Sequence, residues 1–262
     1  MRILFFGDIF GRPGREALKL ILPKLREKYE PDFVIANGEN SAHGKGITEK
    51  SLKEILEAGV DLITTGDHAF EIKGSLEIFS QKEIPVLRPA NFPKEVPGQG
   101  WKLLEVRTKK ILVLNLLGRV FIRCQLDDPF RLAKKIIKEN KDEVKIILVD
   151  WHCEATAEKK ALGLYLDGEV SAVLGTHTHV PTADERILPR GTAYITDLGM
   201  VGPHNSIIGA KEEEVMKGFL KQLPFVLEPA EGPVEVNGVF LEIDNKTGLA
   251  KKIERIREIV EP

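Results

Sequence analysis

Two histidines stand one residue apart in the segment VSAVLGTHTHVPTAD, which spans residues 170–184. A short apolar run ends at Gly175, and His177 and His179 follow it closely. Neutral imidazole is a common ligand for metal ions in proteins. A pair at this spacing can serve one metal ion or two adjacent ones, provided that the rest of the chain supplies partners.

Four other apolar segments end in residues of the same chemical kind. These ends are Gly7-Asp8, Gly38-Glu39-Asn40, Gly66-Asp67-His68 and Asp150-Trp151-His152. Carboxylate, amide and imidazole groups form a mixed oxygen and nitrogen set, which suits Fe, Mn, Zn or Co and argues against a thiolate site. A carboxylate can bridge two such ions, which lie about 3.5–4 Å apart in two-metal sites.

The elements that must position these residues alternate between strands and helices. The strand-like segments RILFFGD, PDFVIANGEN and VDLITTGDH are separated by segments with apolar residues at helical spacing, such as Leu18, Ile21, Leu22 and Leu25. The order β-α-β-α-β predicts a parallel sheet with right-handed crossovers. The carboxyl ends of its strands lie on one edge, so the metal-binding residue types are expected to converge there.

The second half of the chain predicts another sheet. Two strands joined by the turn RTKK are followed by a helix over 127–140, the strand VKIILVDWH, a further helix and the strand that leads to the two histidines. A hairpin is expected to turn at residues 245–248, and a helix near 211–222. We expect Thr48 to cap a helix, Pro23 to interrupt one, and the stretch 85–97 to be a loop. Two sheets packed face to face, with helices outside, would accommodate these elements.

Bulk properties restrict the class of protein. A chain of 262 residues is near the upper size for one core, so a single domain over 1–262 is expected. The formal net charge of -2 lacks the excess of positive charge that is typical of nucleic-acid-binding proteins. RNA ends are possible partners, but the charge does not indicate them. Two cysteines, no apolar leader before RILFF and no apolar run of about 20 residues favour a cytoplasmic protein without a membrane anchor.

The chain resembles the calcineurin-like metallophosphoesterases, and within them the YmdB-like family of bacterial phosphodiesterases. The matching blocks are GDIFGRPGR, ANGENSAHGKGIT, TTGDHAF, DWHCEATAEK, GTHTHVPTAD and ITDLGMVGP. The resemblance covers essentially the whole chain. It implies a four-layer αββα sandwich of two mixed sheets, a dinuclear metal centre, hydrolysis of cyclic nucleotides (notably 2′,3′-cyclic ones) and a homo-oligomer.

The resemblance also implies roles for individual residues. One metal ion would be held by Asp8, Glu39, Asn40 and His179, and the other by Glu39, Asp67, His152 and His177. Glu39 would therefore bridge two metal ions per subunit, with iron or manganese expected first and zinc or cobalt as alternatives. His68 would act at the substrate. Larger metallophosphoesterases usually have a histidine where this chain has Phe10, and Asn40 is expected to compensate.

The expected reaction is attack on a phosphodiester by a hydroxide that bridges the metal ions, with His68 as general acid. Asp67 departs from the family, which usually has asparagine there, and its effect on metal and rate is open. Three alternatives are a phosphomonoesterase or protein phosphatase with the same centre, a metal amidohydrolase, and a metal- and nucleotide-binding regulatory protein with little turnover. The loops 85–100 and 118–127 are expected to set the substrate.

Several other polar residues have simpler expected roles. Cys153 is expected to be a small packed residue, Asp184 and Asp197 to serve turns, and Glu154 and Glu158 to serve the start of a helix. A surface ion pair is expected for Arg190, with a phosphate contact as the alternative, while His43 and His204 are expected to be loop residues, with contact to the substrate as the alternative.

Overall fold

The computed structural model describes residues 1–224 and 226–262, and within them a first mixed sheet has seven strands. Its strands are β1 (Arg2–Ile9), β2 (Phe33–Asn37), β3 (Leu62–Thr64), β4 (Val86–Leu87), β11 (Met200–Pro203), β12 (Val234–Ile243) and β13 (Ala250–Val260). They lie in the order β13-β12-β11-β1-β2-β3-β4. β1 is parallel to β2 and β11 but antiparallel to β12.

A second sheet takes its strands from the middle of the chain. These are β5 (Trp101–Val106), β6 (Lys109–Leu117), β7 (Ile146–His152), β8 (Ala172–Thr176), β9 (Arg186–Ile187) and β10 (Ala193–Ile195). They lie in the order β5-β6-β7-β8-β10-β9, with β6, β7, β8 and β10 parallel. The chain passes from this sheet to the first through residues 196–199, between β10 and β11.

The helices cover the outer faces of the two sheets. They are α1 (Gly11–Tyr29), α2 (Glu49–Glu57), α3 (Ser75–Ser80), α4 (Pro129–Asn140), α5 (Thr156–Tyr165) and α6 (Glu212–Lys221). One core packs the first sheet against α1 and α2, a second lies between the sheets, and a third packs the second sheet against α4 and α5. The expected αββα sandwich of two mixed sheets is therefore confirmed.

Strand β1 shows why the sheets stack in layers. Successive side chains of a strand point to opposite faces. Ile3 and Phe5 therefore lie in the core between the sheets, while Leu4 and Phe6 lie in the core under the helices. All four are fully buried, and burial of each side chain is worth about 1.5–3 kcal/mol. The apolar run 3–6 thus fixes β1 in the interior of the molecule.

The local predictions have mixed outcomes. Thr48 caps α2 and forms a capping box with Ser51, as expected. The last hairpin turns at 244–249, with Asp244 accepting hydrogen bonds from the backbone of Lys246 and Thr247. The prediction that Pro23 interrupts the first helix is wrong, because α1 continues through Pro23 to Tyr29. The stretch 85–97 contains the two residues of β4, which add an edge strand to the first sheet.

None of the helices within 1–224 and 226–262 is both long and apolar enough to cross a membrane.

Candidate metal centre

The carboxyl ends of β2, β3, β7 and β8 bring four side chains into one group. Glu39, Asp67, His152 and His177 each offer a ligand atom, and these atoms all lie within 4.8 Å of one another. Each residue follows or ends a strand, which explains how positions so distant in sequence converge. This is the group that the family resemblance implies for one of the two metal ions.

His152 lies at the middle of this group and is fully buried. Its Nε2 atom is 2.9 Å from Glu39 Oε1, 3.3 Å from Asp67 Oδ1 and 3.0 Å from His177 Nδ1. Burial opposes its protonation, but the charges of Glu39, Asp67 and Asp8 raise the pKa of His152 well above its ordinary value. The site therefore has negative charge that calls for a cation.

The remaining three predicted ligands lie beside this group. Asn40 Nδ2 is 3.0 Å from His179 Nε2 and 3.4 Å from Glu39 Oε1. Asp8 Oδ1 is 3.8 Å from His179 Nε2 and 3.8 Å from His152 Nδ1. Phe10 packs edge-on against the His179 ring, at the place where the sequence resemblance leads one to expect a histidine in larger metallophosphoesterases. All seven predicted ligands are thus collected at one edge of the two sheets.

Two features of the chain fit these residues to metal ions. Asp8 Oδ1 and Asp67 Oδ1 are buried, and neither accepts a well-aligned hydrogen bond from the described residues. Unpaired buried carboxylate oxygens are costly unless a cation compensates them. In addition, a Cβ atom on Gly66 would lie 2.1 Å from the His152 ring and 2.2 Å from Glu39 Oε2. Glycine at this position therefore leaves room for the cluster itself.

Asp67 is the carboxylate of the group that lies between the two imidazoles, 3.3 Å from His152 Nε2 and 3.4 Å from His177 Nδ1. Burial works to raise the pKa of Asp67, but the neighbouring rings of His152 and His177 hold it well below its usual range. The group is therefore an anion in the folded protein, facing the two imidazoles. A neutral amide at this place would carry one negative charge less.

His68 lies at the rim of the centre and outside the group of four. Its backbone N–H donates to Glu39 Oε2 at 3.2 Å, and its Nδ1 atom lies 3.1 Å from Glu71 Oε1. Glu71 in turn pairs with Lys45 from the glycine-rich loop 41–48. The side chain of His68 is 26% exposed, so a ligand bound at the centre can reach it.

The tautomers of two histidines are set by hydrogen bonds behind the centre. His179 Nδ1–H donates to the carbonyl of Ile208 at 2.8 Å, which leaves its Nε2 atom facing Asn40. His152 Nδ1 lies 2.9 Å from Thr176 Oγ1, and that hydroxyl donates to Asp150 Oδ1 at 2.6 Å. Partners of this kind orient metal-bound histidines and make them more basic.

Asp150 belongs to the strand end Asp150-Trp151-His152, but the sequence alone predicts no role for it. It is fully buried and also accepts hydrogen bonds from Asn37 and Thr64 of the first sheet. Burial raises the pKa of Asp150 to about 6. Its spacing of two residues from His152 on β7 places both on one face of the strand, which is the signal that could have indicated it.

Three residues predicted to serve helix starts or turns make further contacts that were not expected. Glu154 Oε2 lies 3.0 Å from His177 Nε2, whereas Glu158 accepts hydrogen bonds from the backbone of residues 119 and 120. Asp197 forms a buried ion pair with Lys159 in addition to its turn contacts. Sequence reasoning missed these partners because they depend on which loops meet in space.

Other polar residues behave largely as expected. Cys153 is fully buried, and burial raises the pKa of its thiol, as suits a packed residue. Arg190 lies 3.6 Å from Asp167 in an ion pair. His43 is exposed in its loop, and His204 lies 3.2 Å from Glu235.

A large cavity among the described residues, about 620 Å³, lies between the segment 88–103 and α4. Residues of the metal group do not line it. The segment 85–100, one of the two loops expected to set the substrate, thus helps to form a pocket away from the metal group.

Comparison with solved structures identifies the class of fold to which this chain belongs. A 5′-nucleotidase precursor from Thermus thermophilus superposes with a TM-score of 0.63 at 13% identity, over 100% of this chain and 55% of that one. The fold is therefore that of the metallophosphoesterase and 5′-nucleotidase type. The crystal structure of a novel phosphatase from Mycoplasma pneumoniae is more similar, with a TM-score of 0.93, 39% identity and coverage of 100% of this chain and 94% of that one.

Within this class the chain belongs to the YmdB-like protein family, whose profile matches residues 4–256. A relative from Bacillus subtilis (strain 168) is 49% identical over 257 residues, which are 98% of this chain and 96% of that protein. That relative is named 2′,3′-cyclic-nucleotide 2′-phosphodiesterase. The predicted family and the predicted enzyme class, a phosphoric diester hydrolase, are confirmed at this level.

Proposed function

We propose that this protein is a metal-dependent phosphodiesterase that hydrolyses small cyclic nucleotides, with 2′,3′-cyclic nucleotides as the first candidates. The observation that carries the proposal is the buried group Glu39, Asp67, His152 and His177, with His68 at its rim. The activity named for the relative at 49% identity supports the choice of a cyclic diester.

In the proposed centre Asp8, Glu39, Asn40 and His179 would hold one ion, and Glu39, Asp67, His152 and His177 would hold the other. Iron or manganese are the first candidates, because the donors are oxygen and nitrogen atoms of mixed hardness. When bound, such ions supply an activated water and neutralise charge on the phosphoryl oxygens.

The remaining chemistry belongs to the chain. His68 donates a proton to the departing ribose oxygen, which would otherwise leave as an alkoxide. Glu71 Oε1, 3.1 Å from His68 Nδ1, orients the ring, and Glu39 fixes the backbone of His68 at the rim. Asp150 and Thr176 keep His152 in the tautomer that faces the centre with Nε2.

Hydrolysis of phosphomonoesters by the same centre is the second candidate function. It is favoured by the similarity to the Mycoplasma pneumoniae protein, which is described as a phosphatase. The partly exposed side chain of His68 would be accessible to either kind of ester.

The surface supports the expectation of a homo-oligomer. Helix α6 and the segment after it expose Phe219, Leu220 and Leu223 to the extent of 70%, 76% and 60%. Large exposed apolar side chains in one region are typical of surfaces that are covered by a partner.

A matched pair of esters tests the function. We expect the protein to hydrolyse a bis-aryl phosphate and 2′,3′-cyclic nucleotides in the presence of Mn²⁺, to lose this activity with a chelator, and to act weakly on a mono-aryl phosphate. The variant His152→Ala should lose both metal and activity. Hydrolysis of the monoester alone would favour the second candidate, and metal-independent hydrolysis would exclude both.

The role of His68 is tested by His68→Ala. We expect kcat to fall by about 10²–10⁴-fold, because a general acid contributes that much, while Mn²⁺ binding is retained. His204→Ala is the matched control, since His204 is also half-buried and lies 3.2 Å from a glutamate. Turnover of the His68 variant equal to that of the control would contradict the acid role.

A further inference from the structure

A buried ion pair lies behind the two histidines that first indicated the site. Lys159 of α5 and Asp197 of the connection between β10 and β11 are each 1% exposed at the side chain, and their charged groups are in direct contact. Lys159 Nζ also donates to the carbonyl of Thr176 at 2.7 Å. Desolvation of two charges is costly, so a pair of this kind adds little to stability beyond that of an apolar pair.

The carboxylate of Asp197 holds the residue between the two histidines. Its Oδ2 atom accepts from the backbone N–H of Thr178 at 3.1 Å and from the Thr178 hydroxyl at 2.7 Å. Its Oδ1 atom accepts from the backbone N–H of Gly199 at 2.8 Å. Asp197 therefore ties the turn after β8 to the crossing between the two sheets.

This turn has an unfavourable backbone conformation. His177 has a backbone φ of 100° and His179 has a φ of 65°. Residues other than glycine rarely adopt such values. Such a conformation persists only where the surroundings enforce it. Two hydrogen bonds from Thr178 to one buried carboxylate provide that enforcement, and the backbone N–H of His177 adds a third, to Asp8 Oδ2 at 3.0 Å.

We propose that Asp197, fixed by Lys159, is a positioning residue for the metal centre. Through Thr178 it holds the strained turn that directs His177 to Asp67 and His152, and His179 to Asp8 and Asn40. The inference rests on the proposed function, since the orientations of His177 and His179 matter only where metal ions bind. The ion pair then serves the accuracy of the site and not mainly the stability of the fold.

The test removes one hydrogen bond of the turn at a time. Thr178→Val keeps the shape of the side chain and the backbone bond but loses the hydroxyl, and Thr178→Ser restores the hydroxyl. We expect Thr178→Val to bind Mn²⁺ about tenfold more weakly by calorimetry, because one charge-assisted hydrogen bond is lost, and Thr178→Ser to bind within about twofold of wild type. The visible absorption of bound Co²⁺ should shift in the valine variant only.

A control variant separates positioning from stability. Thr192→Val also removes hydroxyl hydrogen bonds of the second sheet, one donated to the Val170 carbonyl at 2.8 Å and one accepted from the Gly168 N–H at 2.8 Å, outside the turn that carries the two histidines. We expect it to lose at least as much resistance to urea as Thr178→Val but to bind Mn²⁺ and Co²⁺ as the wild type does. Asp197→Asn should weaken Mn²⁺ binding more than Thr178→Val, because both bonds from Thr178 and the pair with Lys159 are affected.

The outcomes separate this inference from the proposed function. Mn²⁺ binding and Co²⁺ absorption of Thr178→Val equal to those of Thr192→Val would overturn the positioning role, while hydrolysis by the wild type would leave the proposed function intact. Failure of the wild type to bind Mn²⁺ would overturn both the positioning role and the proposed function. Equal Mn²⁺ affinities of the wild type and of His152→Ala would overturn both as well.

Discussion

At the scale of residues, individual side chains, and the lack of one at Gly66, determine the chemistry of the centre. Gly66 has no Cβ atom, and a Cβ atom there would overlap the His152 ring and Glu39. Asp67 is held as an anion by two imidazoles although burial would favour the neutral acid. Asp8 Oδ1 is buried without a well-aligned donor among the described residues. The buried oxygen without a donor would be unfavourable in an ordinary core, and a cation bound beside it would compensate its charge.

The effect of Asp67 can be measured at this scale. We expect Asp67→Asn to bind Mn²⁺ at least about tenfold more weakly, because a charged ligand is replaced by a neutral one at the metal itself. Calorimetric titration of both proteins gives the two affinities.

Asp61→Asn is the matched control, since Asp61 lies just before the opposite end of the same strand, β3, and accepts a hydrogen bond from Val34 N at 2.8 Å. Equal Mn²⁺ affinities of Asp67→Asn and Asp61→Asn would mean that Asp67 is not a ligand. A higher kcat in Asp67→Asn with weaker binding would show that the extra charge reduces the Lewis acidity of the metal.

At the scale of elements, the connections at the carboxyl edge need their own anchors. Asp184 accepts hydrogen bonds from the backbone N–H of Thr196 at 3.0 Å, from its hydroxyl at 2.6 Å and from the Thr182 hydroxyl at 2.7 Å. It thereby fixes the end of β10 to the segment after His179. Burial raises the pKa of Asp184, but these hydrogen bonds outweigh it, and the pKa is lowered.

This lowered pKa predicts a pH dependence of stability. An aspartate with a depressed folded pKa contributes stability above its unfolded value of about 3.9, and that contribution is lost as the pH falls through the folded value. We expect the difference in free energy of unfolding between wild type and Asp184→Asn to be largest near neutral pH and to shrink below about pH 4. Urea unfolding at several pH values measures it. A difference that stays constant from neutral pH into the acid range would show that the charge of Asp184 is irrelevant.

At the scale of the whole molecule, the two sheets are joined under the metal centre by polar contacts. Asp150 of the second sheet accepts from Asn37 and Thr64 of the first and from Thr176 of its own sheet. Asn115 of the second sheet likewise donates to the carbonyls of Thr65 at 2.8 Å and Leu87 at 3.2 Å, on the side of the first sheet. Polar groups that are fully paired inside a core fix one arrangement of its layers.

Removal of Asp150 should therefore weaken both the fold and the site. We expect Asp150→Ala to lower the free energy of unfolding by about 3 kcal/mol or more, because three buried donors lose their acceptor. Asp150→Asn retains an acceptor oxygen and should cost clearly less. Urea unfolding compares the variants, and Mn²⁺ titration should show weaker binding to Asp150→Ala because His152 loses its support. Equal stability of the alanine and asparagine variants would contradict the role of the network.

Much of this structure could be predicted from local patterns. The alternation of apolar strands with amphipathic helices predicted the parallel sections, and the convergence of strand ends followed from parallel pairing. The cap at Thr48 and the final hairpin were also predicted, since both depend on residues close in sequence. The prediction for Pro23 was wrong because tertiary packing of α1 on the first sheet keeps the helix continuous past the proline.

The sequence by itself determined the layers of the fold and the types of residue gathered at one edge, because strand periodicity and strand ends are local properties. Only the tertiary structure decided which side chains support them. Asp150 reaches Asn37 across the sheets, Glu154 lies beside His177, and Lys159 pairs with Asp197 behind the strained turn. These contacts join residues of different elements, and their geometry depends on how the sheets and loops pack, which no local pattern encodes.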